Sequence, residues 1–376
     1  MHKRIYGDYV DFISKAMSST DFTQLRDDFQ KRASIGQLDE GKLSKGQEQD
    51  LPIPTENHLG VDKLGELLNI YPVKKPQIGD HPDFLYLRYN RIGTRVKHYI
   101  TSMFIDVKGS TNLYRKYNHE QIYYITQMII LAGTHTCALF GGHIQRLQGD
   151  GIFAYFGGKS VDKNVSVESA IKAASFFNYF MQYELKGIFS QYEIENIYAR
   201  IGIDFGDDKD VEWAVFGSQS CTELTTLGLH TSLAAKMQGY ADNNGIMVGD
   251  NVKTRLNGKS IYCDFIRNKF GNIDTDRRYI YEDPKNNFHY GQSKYNWVAY
   301  LQNTYHFVKT DTNGGLYIDW EAKENAKEQA RIDSLTQKTA LLNTNNAFID
   351  SKGGVTASNT GVQIKPNNFY YDATKV

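Results

Sequence analysis

The sequence predicts an α/β (α+β) fold of ferredoxin-like type, one sheet with helices laid on it and hairpins joining several strands. Two observations carry that expectation. Short apolar runs rich in β-branched residues alternate with stretches of helical periodicity between about His98 and Tyr281. Within that region Gly149-Asp150-Gly151 separates two of the short runs, which is a strand–turn–strand signature.

His98–Val107 is an apolar run ending at Gly109, so it reads as a strand followed by a tight loop. Thr111 is placed to cap the helix after it, and Asn118 to cap a second one running toward Leu139, where Gly141 and Gly142 stop it. His143–Gln148 and Ile152–Phe156 are the strands on either side of the Gly-Asp-Gly turn. Val165–Leu185 carries Ala170, Ala173, Phe177, Phe180 and Leu185 at helical spacing. Ile197–Phe205 reads as a strand closed by Gly206, with Val211–Gly217 as its expected hairpin partner across Asp207–Asp210. A helix over Leu227–Tyr240 and a strand over Ile246–Val248 complete the order β-α-α-β-β-α-β-β-α-β.

Three segments are expected. Residues 1–95 form a polar flank with helical patterns near Val10–Ala16 and Phe22–Phe29 and a loop-like stretch at Gly36–Asn57. Residues 96–285 form the main domain. Residues 286–376 form an extension with a polar helix, Trp320–Leu341, and a flexible tail rich in Asn, Gly and Thr.

Lys+Arg and Asp+Glu each total 43 in the 376 residues, so no global field points to nucleic acid or to an anionic membrane. Cys137, Cys221 and Cys263 have no CxxC spacing, which argues against a disulfide framework or a zinc site and suits a reducing cytoplasm. The first residues, MHKRIYGDYVDF, lack the apolar core of a signal peptide. Ile122–Leu139 is apolar but interrupted by Gln127, Gly133, Thr134 and His135, and reads as a packed helix rather than a membrane span.

Two segments place an aspartate beside glycine at a strand end. Asp106 ends the strand that turns through Val107, Lys108, Gly109, Ser110 and Thr111, where backbone N–H groups favour a polyphosphate. Asp150 tips the hairpin after Arg146-Leu147-Gln148. Taken singly, Gly-Asp-Gly is an ordinary hairpin turn and an Asp before a turn an ordinary cap. Two carboxylates converging on adjacent strand ends also suit a pair of Mg²⁺ or Mn²⁺ ions that serve in-line displacement at phosphorus.

The blocks FIDVKGST, GGHIQRLQGDGIFAYFGG, RIGIDFG and LGLHTSLAAKMQ resemble, in order, the signature blocks of class III adenylate and guanylate cyclases over about 180 residues. The central block is still more similar to the pyrimidine cyclases of bacterial anti-phage (Pycsar) systems, which make cyclic UMP or cyclic CMP. The resemblance implies an enzyme that closes a nucleoside triphosphate into a 3′,5′-cyclic monophosphate. It makes Asp106 and Asp150 the ligands of two divalent ions and wraps the triphosphate in Val107–Thr111. It further implies a homodimer with sites at the interface, neither nucleic acid nor membrane as partner, and a separate effector that senses the product.

The chain departs from the purine enzymes in four places. Arg146 stands where adenylate cyclases usually have the base-reading lysine. Thr225 stands for the second base reader, with Glu223 and Thr226 as rivals because Ser218–Thr226 looks like an insertion. Arginine donates and threonine accepts, a set that matches uracil, so UTP is the expected substrate; CTP needs a further acceptor such as Glu223, and ATP stays open. Ser232 replaces the asparagine that orients the ribose, and Lys236 replaces the transition-state arginine. These last two changes motivate a rival class, a degenerate cyclase acting as a nucleotide sensor.

Overall fold

The computed structural model describes residues 4–34, 59–91, 93–194, 197–218, 221–268, 270–343, 347–349, 355–357 and 363–364. The Gly36–Asn57 stretch and most of the tail lie outside them. One compact unit spans Arg4–Tyr300; a second takes in the residues from Leu301 onward. In that second unit Val308–Thr310 pairs with Leu316–Ile318, and the polar helix runs over Trp320–Asn343.

In the first unit α1 (Gly7–Ser18), α2 (Thr23–Ser34) and α3 (Asp62–Leu68) precede the strands β1 (Arg95–Lys97) and β2 (Ile100–Lys108). Next come α4 (His119–Leu139), β3 (Gly142–Gln148), β4 (Gly151–Phe156), α5 (Lys163–Tyr179), α6 (Lys186–Gln191) and β5 (Tyr198–Gly206). After them follow β6 (Val211–Ser218), β7 (Cys221–Gly228), α7 (Leu229–Tyr240), β8 (Gly245–Gly249), α8 (Asp250–Arg255), β9 (Cys263–Asp264), β10 (Tyr279–Asp283) and β11 (Phe288–Tyr295). The main sheet runs β10-β11-β8-β5-β2-β4-β3. All its neighbours are antiparallel except β5 and β8. The segment β5-β2-β4-β3, with α4 and α5 as its crossovers, is the ferredoxin-like core.

Register assigns the two faces. Ile105 lies opposite Ile152 and Ile201, and that row meets α4, where Gly133 leaves room for the Ile152 Cδ1. Phe104 lies opposite Phe153 and Gly202 on the other face. There α7 crosses β5 so closely that a Cβ at Gly202 would stand 2.1 Å from the Ala234 carbonyl oxygen. Asn118 and Gln121 form a capping box that starts α4, and Gly141 at φ 80° ends the turn beyond it. Helix α4 is long and apolar enough to cross a membrane, yet 72% of its most apolar window is buried inside the fold, which makes it a core helix.

The structure corrects three local expectations. Strand β6 does not pair with β5, whose edges are both taken by β2 and β8; it joins β1 and β7 in a separate small sheet. The run that looked like an insertion is largely β7, and the helix expected from Leu227 starts at Leu229. Thr111 caps nothing: Gly109, at φ 93°, stands at the N-cap of the 3₁₀ turn Ser110–Arg115.

The N-terminal segment is tied to the core by polar contacts. α5 runs into a π turn, Phe180–Glu184, that turns Glu184 inward. Its carboxylate accepts the backbone N–H groups of Ile5 at 2.8 Å and Tyr6 at 2.7 Å. The Tyr6 hydroxyl lies 2.8 Å from Thr136 Oγ1, and the Tyr9 hydroxyl 2.6 Å from His135 Nδ1.

Candidate active site

Asp106 lies on the face that carries Phe104, two residues before the end of β2, because side chains alternate along the strand. Its register partner on β5 is Arg200, whose guanidinium ion-pairs with Asp106 Oδ2, with Nε at 3.1 Å. Asp150 sits in the β3–β4 turn, where Gly149 takes φ 62°. β2 and β4 pair as far as Ile105 with Ile152, so the turn lies beside the last residues of β2. Ser110, in the loop after Asp106, donates its hydroxyl to Asp150 Oδ2. Ser110, four residues after Asp106, thus ties the Asp150 turn to the segment that follows β2. The expected loop begins later than the sequence suggested: Val107 and Lys108 still belong to β2, in register with Ala199 and Tyr198, and of the five residues Val107 is buried whereas Lys108 and Thr111 are exposed.

These carboxylates fit hard divalent cations. Both are oxygen donors at the rim of the sheet, and the Asp106 side chain keeps a third of its surface exposed. Among the described residues no group of three or more His, Cys, Asp or Glu side chains gathers, so a metal held here would take its remaining ligands from backbone, water or substrate phosphate. Arg200 escaped the sequence reading because an arginine inside a strand looks like a solvent-facing residue; its significance lies in the β2–β5 register.

A second cluster forms where β3 meets β7. Arg146, after an irregularity in the β3–β4 register, ion-pairs through Nη2 with Glu223 Oε1. Gln145 Nε2 donates to the same oxygen at 3.1 Å and to the Leu224 carbonyl at 2.8 Å. Of the three rivals, Glu223 is thus the residue that faces Arg146. Thr225 and Thr226 hydroxyls instead lie 3.1 and 2.8 Å from the Tyr155 hydroxyl, whose pKa burial pushes up. Thr226 continues to Thr231 at 3.0 Å, and Thr231 to Ser102 at 3.0 Å, tying α7 to β2.

Ser232 and Lys236 lie one helical turn apart on the exposed side of α7, opposite the buried Leu233, Ala234 and Met237. Neither side chain makes a hydrogen bond or ion pair with the described residues. The start of α7 is anchored from below. Buried Asp204 accepts from Tyr290 at 2.7 Å and pairs with His230 Nδ1 at 2.9 Å. Burial raises the Asp204 pKa, and the nearby carboxylate raises that of His230.

The chain is 36% identical over 251 residues to a cytidylate cyclase of Staphylococcus aureus, covering 67% of this chain and 57% of that protein. The chain is a relative of the cytidylate cyclases. It is also 30% identical over 262 residues to a cytidylate cyclase of Escherichia coli, covering 68% of this chain and 54% of that protein. It spans little more than half the length of these curated relatives. No family model matches. Among solved structures, the adenylyl cyclase CyaB from P. aeruginosa is 16% identical with a TM-score of 0.43, covering 54% of this chain and 95% of that one. The guanylate cyclase domain of RhGC from Catenaria anguillulae, in complex with GTP, is 15% identical with a TM-score of 0.40, covering 54% and 98%. The expected likeness to nucleotidyl cyclases is thus met, in sequence, by cytidylate cyclases.

Proposed function

We propose that this cytidylate cyclase relative converts CTP to 3′,5′-cyclic CMP and pyrophosphate, as a cytoplasmic homodimer. The observation that carries the base assignment is the Arg146–Glu223 pair. Cytosine presents two acceptors, O2 and N3, beside an amino donor at N4. A guanidinium that donates beside a carboxylate that accepts is the complement of that edge. The names of the relatives support the same base. Thr225, the acceptor expected to serve UTP, lies instead with its hydroxyl 3.1 Å from that of Tyr155, and Glu223 is the acceptor that faces Arg146.

Asp106 and Asp150 would hold two divalent ions, Mn²⁺ or Mg²⁺. Bound there, such ions acidify the 3′-hydroxyl and neutralise the charge of the triphosphate. The chain's own groups do the rest. The segment Val107–Thr111, the end of β2 and the turn after it, would hold the phosphates through backbone N–H groups, and Arg200, paired with Asp106, would add positive charge beside them. Ser232 and Lys236 face outward, in a position to serve the site of a second copy: Ser232 on the ribose, Lys236 on the charge developing at the α-phosphorus. The likeness to the pyrimidine cyclases supports a second-messenger role in anti-phage defence, with a separate effector reading the product.

The deciding assay incubates the chain with Mn²⁺ and each of the four nucleoside triphosphates and resolves products by mass. Cyclic CMP is expected, and its formation should drop at least about 1,000-fold in Asp106→Asn if the metal-held carboxylate is essential. Cyclic UMP would restore the Thr225 assignment. A folded dimer that binds nucleotide and turns over none would make the chain a sensor.

A further inference from the structure

We infer that Phe216 is the stacking platform for the substrate base, an inference that rests on the cyclase reading above. β6 and β7 pair with Phe216 directly opposite Glu223 and Ala214 opposite Thr225. Residues directly opposite in an antiparallel pair project from the same face, with Cβ atoms roughly 4.5–5.5 Å apart. The Phe216 ring and the Glu223 carboxylate therefore rise side by side, and Arg146 reaches the same place to pair with Glu223. The other face of this small sheet is the one that packs: Val211, Trp213 and Leu224 are buried with Phe84, Phe153 and Tyr155.

Phe216 takes no part in that cluster and is 39% exposed. A phenyl ring left at the surface beside an ion pair contributes little to the core. It does supply what the pair lacks. Arg146 and Glu223 read a base along its edge, in the plane of the ring, and leave both π-faces uncovered. A flat aromatic side chain next to the edge readers covers one face, and stacking tolerates any pyrimidine because each has a π-face. Base identity and base affinity are thereby assigned to different side chains on one strand pair: Glu223 decides which pyrimidine, and Phe216 how tightly it is held.

The test compares Phe216→Leu, Phe216→Tyr and the parent chain. It reads KM and kcat for CTP, the inhibition constant of UTP, and that of inorganic tripolyphosphate, which has no base. Phe216→Leu should raise the CTP KM and the UTP inhibition constant together by about 5- to 50-fold. It should leave kcat within about twofold and tripolyphosphate unchanged, since neither depends on the stack. Phe216→Tyr, which keeps the ring, should restore the parent values. An unmoved KM in Phe216→Leu overturns the proposal, as does equal weakening of tripolyphosphate or loss of the dimer in light scattering. A parent chain that forms no cyclic nucleotide overturns the cyclase reading itself, so the two failures are told apart.

Discussion

A carboxylate beside a guanidinium separates cytosine from uracil by polarity rather than by size. At Glu223 the cytosine amino group would donate to an acceptor, whereas the uracil O4, itself an acceptor, would face the carboxylate with no proton between them. Glu223→Gln gives the site a group that can donate to O4, so discrimination in favour of CTP should fall by about 10- to 100-fold in kcat/KM, read from the CTP/UTP ratio. A ratio that stays fixed while both rates fall would mean that Glu223 only positions Arg146. The sequence marked the two aspartates by nearby glycines; the turn at Asp150 formed as that spacing specifies, whereas β2 continues past Asp106 to Lys108 and turns only at Gly109. Glu223 was legible only as one of three rivals, since nothing in the Ser218–Thr226 run marks it as strand. Arg200 was not legible at all. Its role comes from lying opposite Asp106, and cross-strand register is a property of the folded sheet.

At the scale of elements, the position of α7 decides what Ser232 and Lys236 can reach, and Gly202 decides the position of α7. A methyl group there would stand 2.1 Å from a main-chain oxygen, where no side chain can yield. Gly202→Ala should therefore cost about 1–3 kcal/mol in urea unfolding and lower activity beyond that loss, because the helix must lift. The N-terminal tie makes a pH-dependent case. Burial raises the Glu184 pKa to about 7 from 4.5, against the lowering pull of the Ile5 and Tyr6 N–H groups, Arg4 and Lys63. Between those values the folded chain holds a proton that the unfolded chain releases. The stability this adds is complete below the unfolded pKa and is lost as pH rises through 7, about 3 kcal/mol in all. The stability of the parent chain relative to Glu184→Gln should accordingly decline from pH 5 to pH 8 in urea titrations; a constant gap would show Glu184 ionised throughout. The alternation of runs in the sequence was enough to read the β5-β2-β4-β3 core. The partner of β6 was not readable, because hairpin logic favours the nearest strand and β5 had already spent both edges. Nor was the tie at Glu184, which depends on a π turn that periodicity does not report.

For the whole molecule, the arrangement of functional side chains predicts an assembly that can be tested by mixing. Asp106 lies near the end of β2 and Asp150 is tied to the turn that follows by Ser110, while Ser232 and Lys236 leave the exposed side of α7 without a partner among the described residues. If a second copy completes each site, as proposed, a chain lacking Asp106 and a chain lacking Lys236 carry complementary defects. Asp106→Asn and Lys236→Ala should each be nearly inactive alone. Mixed and allowed to exchange subunits, half of the dimers become hybrid. In each hybrid, one site takes Asp106 from one chain and Lys236 from the other and is whole, while its twin carries both defects. A two-fold dimer should thus recover about a quarter of the parent activity, and the recovery should scale with the fraction of hybrid dimers. If each site were built from a single chain, no hybrid would contain an intact site and mixing would recover nothing. The assay therefore reads the origin of the residues directly, without requiring the geometry of the interface to be known beforehand.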